Sequence, residues 1–141
     1  MFLEGGYNCA ESVLGGVLGK LDTRLALASG FGGGIGGTKD VCGAATGAVM
    51  ALGAVANVRA HGDRTSDDLK KLVAQFLRRF EEDCGGLDCA DLVPLESLFD
   101  DEASRKEYFA GRERKLKCAE FVAGAERLAL DLLAERGWAD R

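Results

Sequence analysis

An all-α bundle of five or six helices, in a single domain over residues 1–141, is the fold that three observations predict. Apolar residues recur at three- and four-residue spacing in several segments, the mark of helices with one buried face. No stretch alternates apolar and polar residues over a strand length, and no Asn-Gly or Asp-Gly pair signals a hairpin. The chain is 47% apolar over 141 residues, which is the length of one domain with material for one core.

The first helix is predicted to begin near Tyr7-Asn8. Asn8 is a favoured N-cap, and Glu11 lies three residues on, as in a capping box. Cys9 then falls in the first turn, and Val13, Leu14, Val17, Leu18 and Leu21 supply the apolar face. A short apolar helix over Thr23–Ser29 follows. Gly30-Phe31-Gly32-Gly33-Gly34-Ile35-Gly36-Gly37 reads as a loop, because glycine disfavours helix.

The third helix, from about Asp40 to Val58, is made of small residues, among them Gly43, Ala44, Ala45, Gly47, Ala48 and Ala51. Gly43 and Gly47 share a face that lets another backbone approach closely, within the bundle or across a homodimer. A helix apolar all round belongs at the centre of a bundle. Val41–Val58 is an uncharged run of 18 residues, but alanine and glycine gain little from lipid, so no direct membrane span is expected.

The fourth helix has the clearest pattern. Thr65-Ser66-Asp67-Asp68 offers a cap and early acids, Leu69, Leu72, Val73, Phe76, Leu77 and Phe80 recur at helical spacing, and Gly85-Gly86 ends it. Asp88–Leu92 reads as a short turn or helix stopped by Pro94, and residues 95–112 as a charged connection with a helical piece around Glu102–Phe109. The last helix runs from about Arg114 to Glu135, with Cys118, Phe121, Val122, Ala125, Leu128, Ala129, Leu132 and Leu133 inward and Gly137 beyond its end.

Composition narrows the function. Eighteen basic against twenty-three acidic residues leave a net charge of −5, unsuited to binding nucleic acid through its phosphates. The single histidine, His61, reads as a solvated loop residue, and one imidazole excludes zinc sites that need two or more. Met1–Gly6 has neither a basic start nor an apolar run, so a cytoplasmic location is expected, where thiols stay reduced. Gly32–Gly37 formally matches G-x-G-x-x-G, but no strand precedes it and no acid lies near position 57; Thr38-Lys39 also reverses the P-loop order. The loop is instead expected to pack closely and to turn backbone N–H groups toward a sulfur or an anion. That makes Gly32, Gly33 and Gly34 the candidates for lining a cofactor.

The five cysteines carry the remaining signal. Cys9 follows Asn8, Cys42 lies two residues after Asp40, and Cys89 follows Asp88, so three thiols sit at predicted helix N-termini. There the helix dipole favours the thiolate. Cys118 lies on the apolar stripe of the last helix, and Cys84 reads as a spare thiol at the end of the fourth. No Cys-x-x-Cys occurs, which excludes a thioredoxin-like motif and a zinc ribbon. Four thiols from different helices that converge in a bundle suit an iron–sulfur cluster or zinc, and two pairs suit dithiol–disulfide exchange.

Gly6-Tyr7-Asn8-Cys9-Ala10-Glu11-Ser12-Val13, Phe31-Gly32-Gly33-Gly34-Ile35-Gly36 and Val41-Cys42-Gly43-Ala44-Ala45-Thr46-Gly47-Ala48, followed by Asp88-Cys89-Ala90-Asp91-Leu92 and Cys118-Ala119-Glu120-Phe121-Val122, resemble the C_GCAxxG_C_C family of redox-active proteins. The resemblance spans nearly the whole chain. It implies a small bacterial or archaeal helical protein whose motif cysteines are Cys9, Cys42, Cys89 and Cys118, with Cys84 outside the pattern. It also implies genes often found beside transporters, and a kinship with a module of split-Soret-type cytochromes that carries an iron–sulfur centre. Covalent haem is not expected, because Cys-x-x-Cys-His is absent.

The leading expectation is a redox protein whose four motif thiols converge near the glycine loop. They would hold a cluster, [2Fe–2S], or work as a dithiol relay with Cys42 and Cys9 as the reacting thiols, and a redox partner protein would exchange electrons with them. Two other readings stand beside it. One is a thiol enzyme with Cys42 as attacking thiolate. The other is a non-catalytic accessory module that holds zinc and works with a membrane transporter.

Overall fold

The computed structural model describes residues 2–3, 6–19, 23–60, 66–93, 102–103, 106–107 and 111–138. Among these, helix is the only extended element: α1 (Cys9–Leu18), a 3-10 helix (Thr23–Phe31), α2 (Gly43–Ala60), α3 (Ser66–Cys84), the single-turn α4 (Cys89–Leu92) and α5 (Arg112–Glu135). The expected all-α bundle is the fold observed. The predicted cap residue Thr65, the predicted stop Pro94, the loop residue His61, and half of Glu102–Phe109 lie outside the described residues.

α1 starts where its sequence dictates. The Asn8 side chain accepts from the Glu11 N–H at 2.9 Å, and the Glu11 carboxylate accepts from the Asn8 N–H at 3.1 Å, a complete capping box. Asn8 also donates through Nδ2 to the Ser29 carbonyl at 2.9 Å, which ties the start of α1 to the end of the 3-10 helix. Gly19 ends α1 in the left-handed conformation, with φ 68°, that glycine adopts without a Cβ penalty.

α2 is the central helix and packs against α1, the 3-10 helix, α3 and α5. Ala44, Ala45, Ala48, Ala51, Leu52 and Ala56 are buried along it. Its small residues bring backbones together: a Cβ on Gly47 would overlap the backbone of Ala10 in α1. Farther along, the core changes character. Leu72, Phe76 and Phe80 of α3 meet Leu128, Leu132 and Leu133 in the buried core that α3 shares with α5. The Phe76 and Phe80 rings stack at 5.9 Å. Among the described residues, no helix is long and apolar enough to cross a membrane.

α2 begins at Gly43, three residues later than its composition predicts. The reason is a contact distant in sequence. Val41 and Asp88 form an isolated antiparallel bridge, flanked by Cys42 N–H to the Leu87 carbonyl and Cys89 N–H to the Asp40 carbonyl, both at 2.7 Å. Residues 40–42 are therefore extended and paired, and the Asp40 carboxylate accepts from the next N–H, that of Val41, rather than capping a helix. The last helix starts at Arg112, two residues before its expected start.

Candidate redox site

Cys9, Cys42, Cys89 and Cys118 line one small cavity, as their placement in the sequence led one to expect. Each arrives from a different element. Cys9 opens α1 behind its Asn8 cap. Cys42 immediately precedes α2, and its carbonyl accepts the N–H groups of Ala45 at 2.9 Å and Thr46 at 3.1 Å in the first turn. Cys89 opens α4 behind Asp88, whose side chain makes no capping bond. The bridge between Val41 and Asp88 sets Cys42 and Cys89 on adjoining segments. Cys118 comes from α5, one helical turn after Arg114, which also lines the cavity.

Glycines form much of the wall. Gly33, Gly34 and Gly43 line the cavity, together with Leu92, Val93 and Phe121. Gly34 has φ +73°, and a Cβ there would stand 2.6 Å from the Asp40 carbonyl oxygen and 2.7 Å from Cys89 Cβ. A Cβ on Gly43 would overlap Cys9 Sγ. Gly32 is not part of the lining; it stands against the Asn8 side chain instead.

The second half of the glycine loop has its N–H groups already taken. The N–H groups of residues 35–40 all bond within the loop or to the end of the 3-10 helix, from Ile35 to Phe31 through Asp40 to Gly34. Two carbonyls at its end reach α4. Those of Asp40 and Lys39 accept from Cys89 and Ala90, the first two N–H groups of α4. The loop positions Cys89 by holding the helix that carries it.

Electrostatics also differ from the sequence expectation. Helix N-termini favour thiolates, but burial disfavours them, and burial prevails. The Cys42 thiol, 8% exposed, is pushed up to about 12 by desolvation, against the lowering effect of the Ala44 and Ala45 N–H groups. Burial also raises Cys89 and Cys118, partly offset at both by the Lys39 and Arg114 cations. At Cys42 burial therefore acts opposite in direction to the activation of a nucleophile.

The cavity measures about 20 Å³, room for one water-sized sphere. Among the described residues, no group of three or more His, Cys, Asp or Glu side chains is placed to hold a metal ion. The fifth thiol, Cys84, stands apart, in an open groove between α3 and α5 with Arg79, Asp83 and Arg127. Arg114 and Phe121 were not expected at the site. Their only sequence signal is helical spacing from Cys118, at −4 and +3.

The protein is thus all-α, with three helix-borne thiols and Cys42, just before α2, lining one glycine-walled cavity. The family model described as "Putative redox-active protein (C_GCAxxG_C_C)" matches residues 7–132, and the chain belongs to that family. No curated protein and no solved structure matches it.

Proposed function

We propose that the protein transfers electrons through Cys9, Cys42, Cys89 and Cys118 acting as one centre, with a [2Fe–2S] cluster as the group they hold. The observation that carries this reading is the convergence of all four motif thiols on one cavity. A relay between two thiols needs two; a cluster with four thiolate ligands needs four. When bound, the group would supply a one-electron couple.

The chain's own residues would hold and tune it. The Ala44 and Ala45 N–H groups at the start of α2 favour negative charge on the Cys42 sulfur. Arg114 and Lys39 place positive charge near Cys89 and Cys118, which offsets the charge of several thiolates. Gly34 and Gly43 leave room for Cys89 and Cys9 where a side chain would displace them.

The small cavity favours a second reading, a dithiol–disulfide centre without a metal, since a four-atom core would require the thiols to turn away from the middle. The absorption spectrum of protein expressed with iron and purified without oxygen decides. Visible bands that bleach with dithionite are the expected result. A colourless protein whose thiols oxidise reversibly in pairs would establish the dithiol reading. A colourless protein with no reversible thiol chemistry would leave an accessory role.

A further inference from the structure

Among the described residues, Ser12 is the one polar side chain buried in the core, at 3% exposure. Its hydroxyl has no hydrogen-bond partner. A buried serine within a helix has an acceptor at hand in the carbonyl four residues back. Here that carbonyl, of Asn8, takes the Ser12 N–H at 2.9 Å, and the hydroxyl is left unpaired. An unpaired buried hydroxyl costs the fold stability, and alanine would suit the helix better. Such a group calls for a reason outside packing.

The helix register places the hydroxyl beside the thiols. Ser12 lies three residues after Cys9 and four before Gly16, so the three share one face of α1. Both ends of that face meet α5. Cys9 lines the cavity with Cys118, and a Cβ on Gly16 would overlap the Glu126 carboxylate, eight residues beyond Cys118. Ser12 therefore sits on the seam between α1 and α5, one turn from the cavity. Side chains on a helix lean toward its N-terminus, which tips Ser12 toward Cys9. Cβ atoms at this spacing stand about 5–6 Å apart, and rotation about one bond in each side chain brings oxygen and sulfur together.

We infer that the Ser12 hydroxyl is the hydrogen-bond donor held for the Cys9 sulfur when that sulfur bears negative charge, so that Ser12 is a positioning residue of the four-thiol centre. Cys9 is a free thiol here, and a neutral thiol is a weak acceptor. A metal-bound sulfur is a charged acceptor, and bonds to charged groups are the strong ones. Donors to ligand sulfurs stabilise the reduced state, which carries one more negative charge, and so raise the potential. The inference rests on the redox reading above and names a residue that tunes it.

The test is Ser12→Ala, read in two states. In the metal-free protein, urea unfolding should show the variant at least as stable as the parent, because an unpaired hydroxyl has been removed. In protein purified with iron and without oxygen, the variant should keep its visible bands while its midpoint potential falls by about 59 mV, a tenfold change in a one-electron equilibrium. An unchanged potential would overturn the inference. So would a metal-free variant less stable than the parent, since the hydroxyl would then be bonded within the fold. Cadmium(II) added to the metal-free protein reads the same bond without electron transfer, because metal binding turns thiols into thiolates. There Ser12→Ala should bind about tenfold more weakly. A colourless parent that keeps this difference defeats the redox reading and leaves the hydrogen bond standing. Equal cadmium affinities, or a parent that binds none, overturn the inference.

Discussion

The two ends of the bundle are packed by opposite means. Around the thiols, α1, α2 and the glycine loop meet backbone to backbone, through Gly34, Gly43 and Gly47. Between α3 and α5, large side chains fill the space, with Phe76, Phe80, Leu132 and Leu133 each no more than 1% exposed. The first end is damaged by adding atoms and the second by removing them. Position of the sulfurs and stability of the fold are therefore held by different residues and can be separated by mutation.

The largest stability effect is expected at the side-chain end. Phe76→Ala removes a fully buried ring and should cost about 3–5 kcal/mol in urea unfolding, while the folded fraction keeps its four-thiol centre. Gly34→Ala should cost about 2–4 kcal/mol, from a left-handed backbone and from overlap with Asp40 and Cys89. Unlike Phe76→Ala, it should also abolish the redox signal in protein that remains folded. A normal signal in folded Gly34→Ala would break the distinction between the two ends.

A smaller effect falls on the cap. Asn8→Ala deletes the acceptor for the Glu11 N–H and the tie to Ser29, and should cost about 1 kcal/mol. Because Cys9 is the next residue, the variant should also change the accessibility of that thiol to alkylation. The smallest effect concerns Cys84. Burial, and then the neighbouring Asp83 carboxylate, hold that thiol above its ordinary range, so it carries less thiolate at pH 8 than a free cysteine. Its alkylation at pH 8 should be slower than that of free cysteine and should rise with pH, and Asp83→Asn should speed it severalfold. Cys84→Ser should leave the redox signal unchanged.

What the sequence revealed follows the range of each interaction. The capping box of α1, the apolar stripes of α3 and α5, and the start of α4 at Cys89 rest on residues a few positions apart, and all are observed. The start of α2 was read too early because residues 40–42 are claimed by residues 87–89, more than forty positions away. The glycine loop was seen as a loop, but that the N–H groups of residues 35–40 close on carbonyls of residues 30–35 is disclosed only by its folded path. The grouping of Cys9, Cys42, Cys89 and Cys118 was expected from their placement and from the family resemblance. The direction of the Cys42 shift was not, because helix position is local and burial is a property of the whole bundle.

The most direct test of the central claim, that four thiols form one centre, is the iron content and visible spectrum of Cys118→Ser purified without oxygen. Cys118 is the ligand candidate farthest in sequence from the glycine loop and the only one on α5. The account predicts that iron and the dithionite-sensitive bands are lost, as they should be on replacing Cys9, Cys42 or Cys89. Full iron and an unaltered spectrum in Cys118→Ser would contradict it.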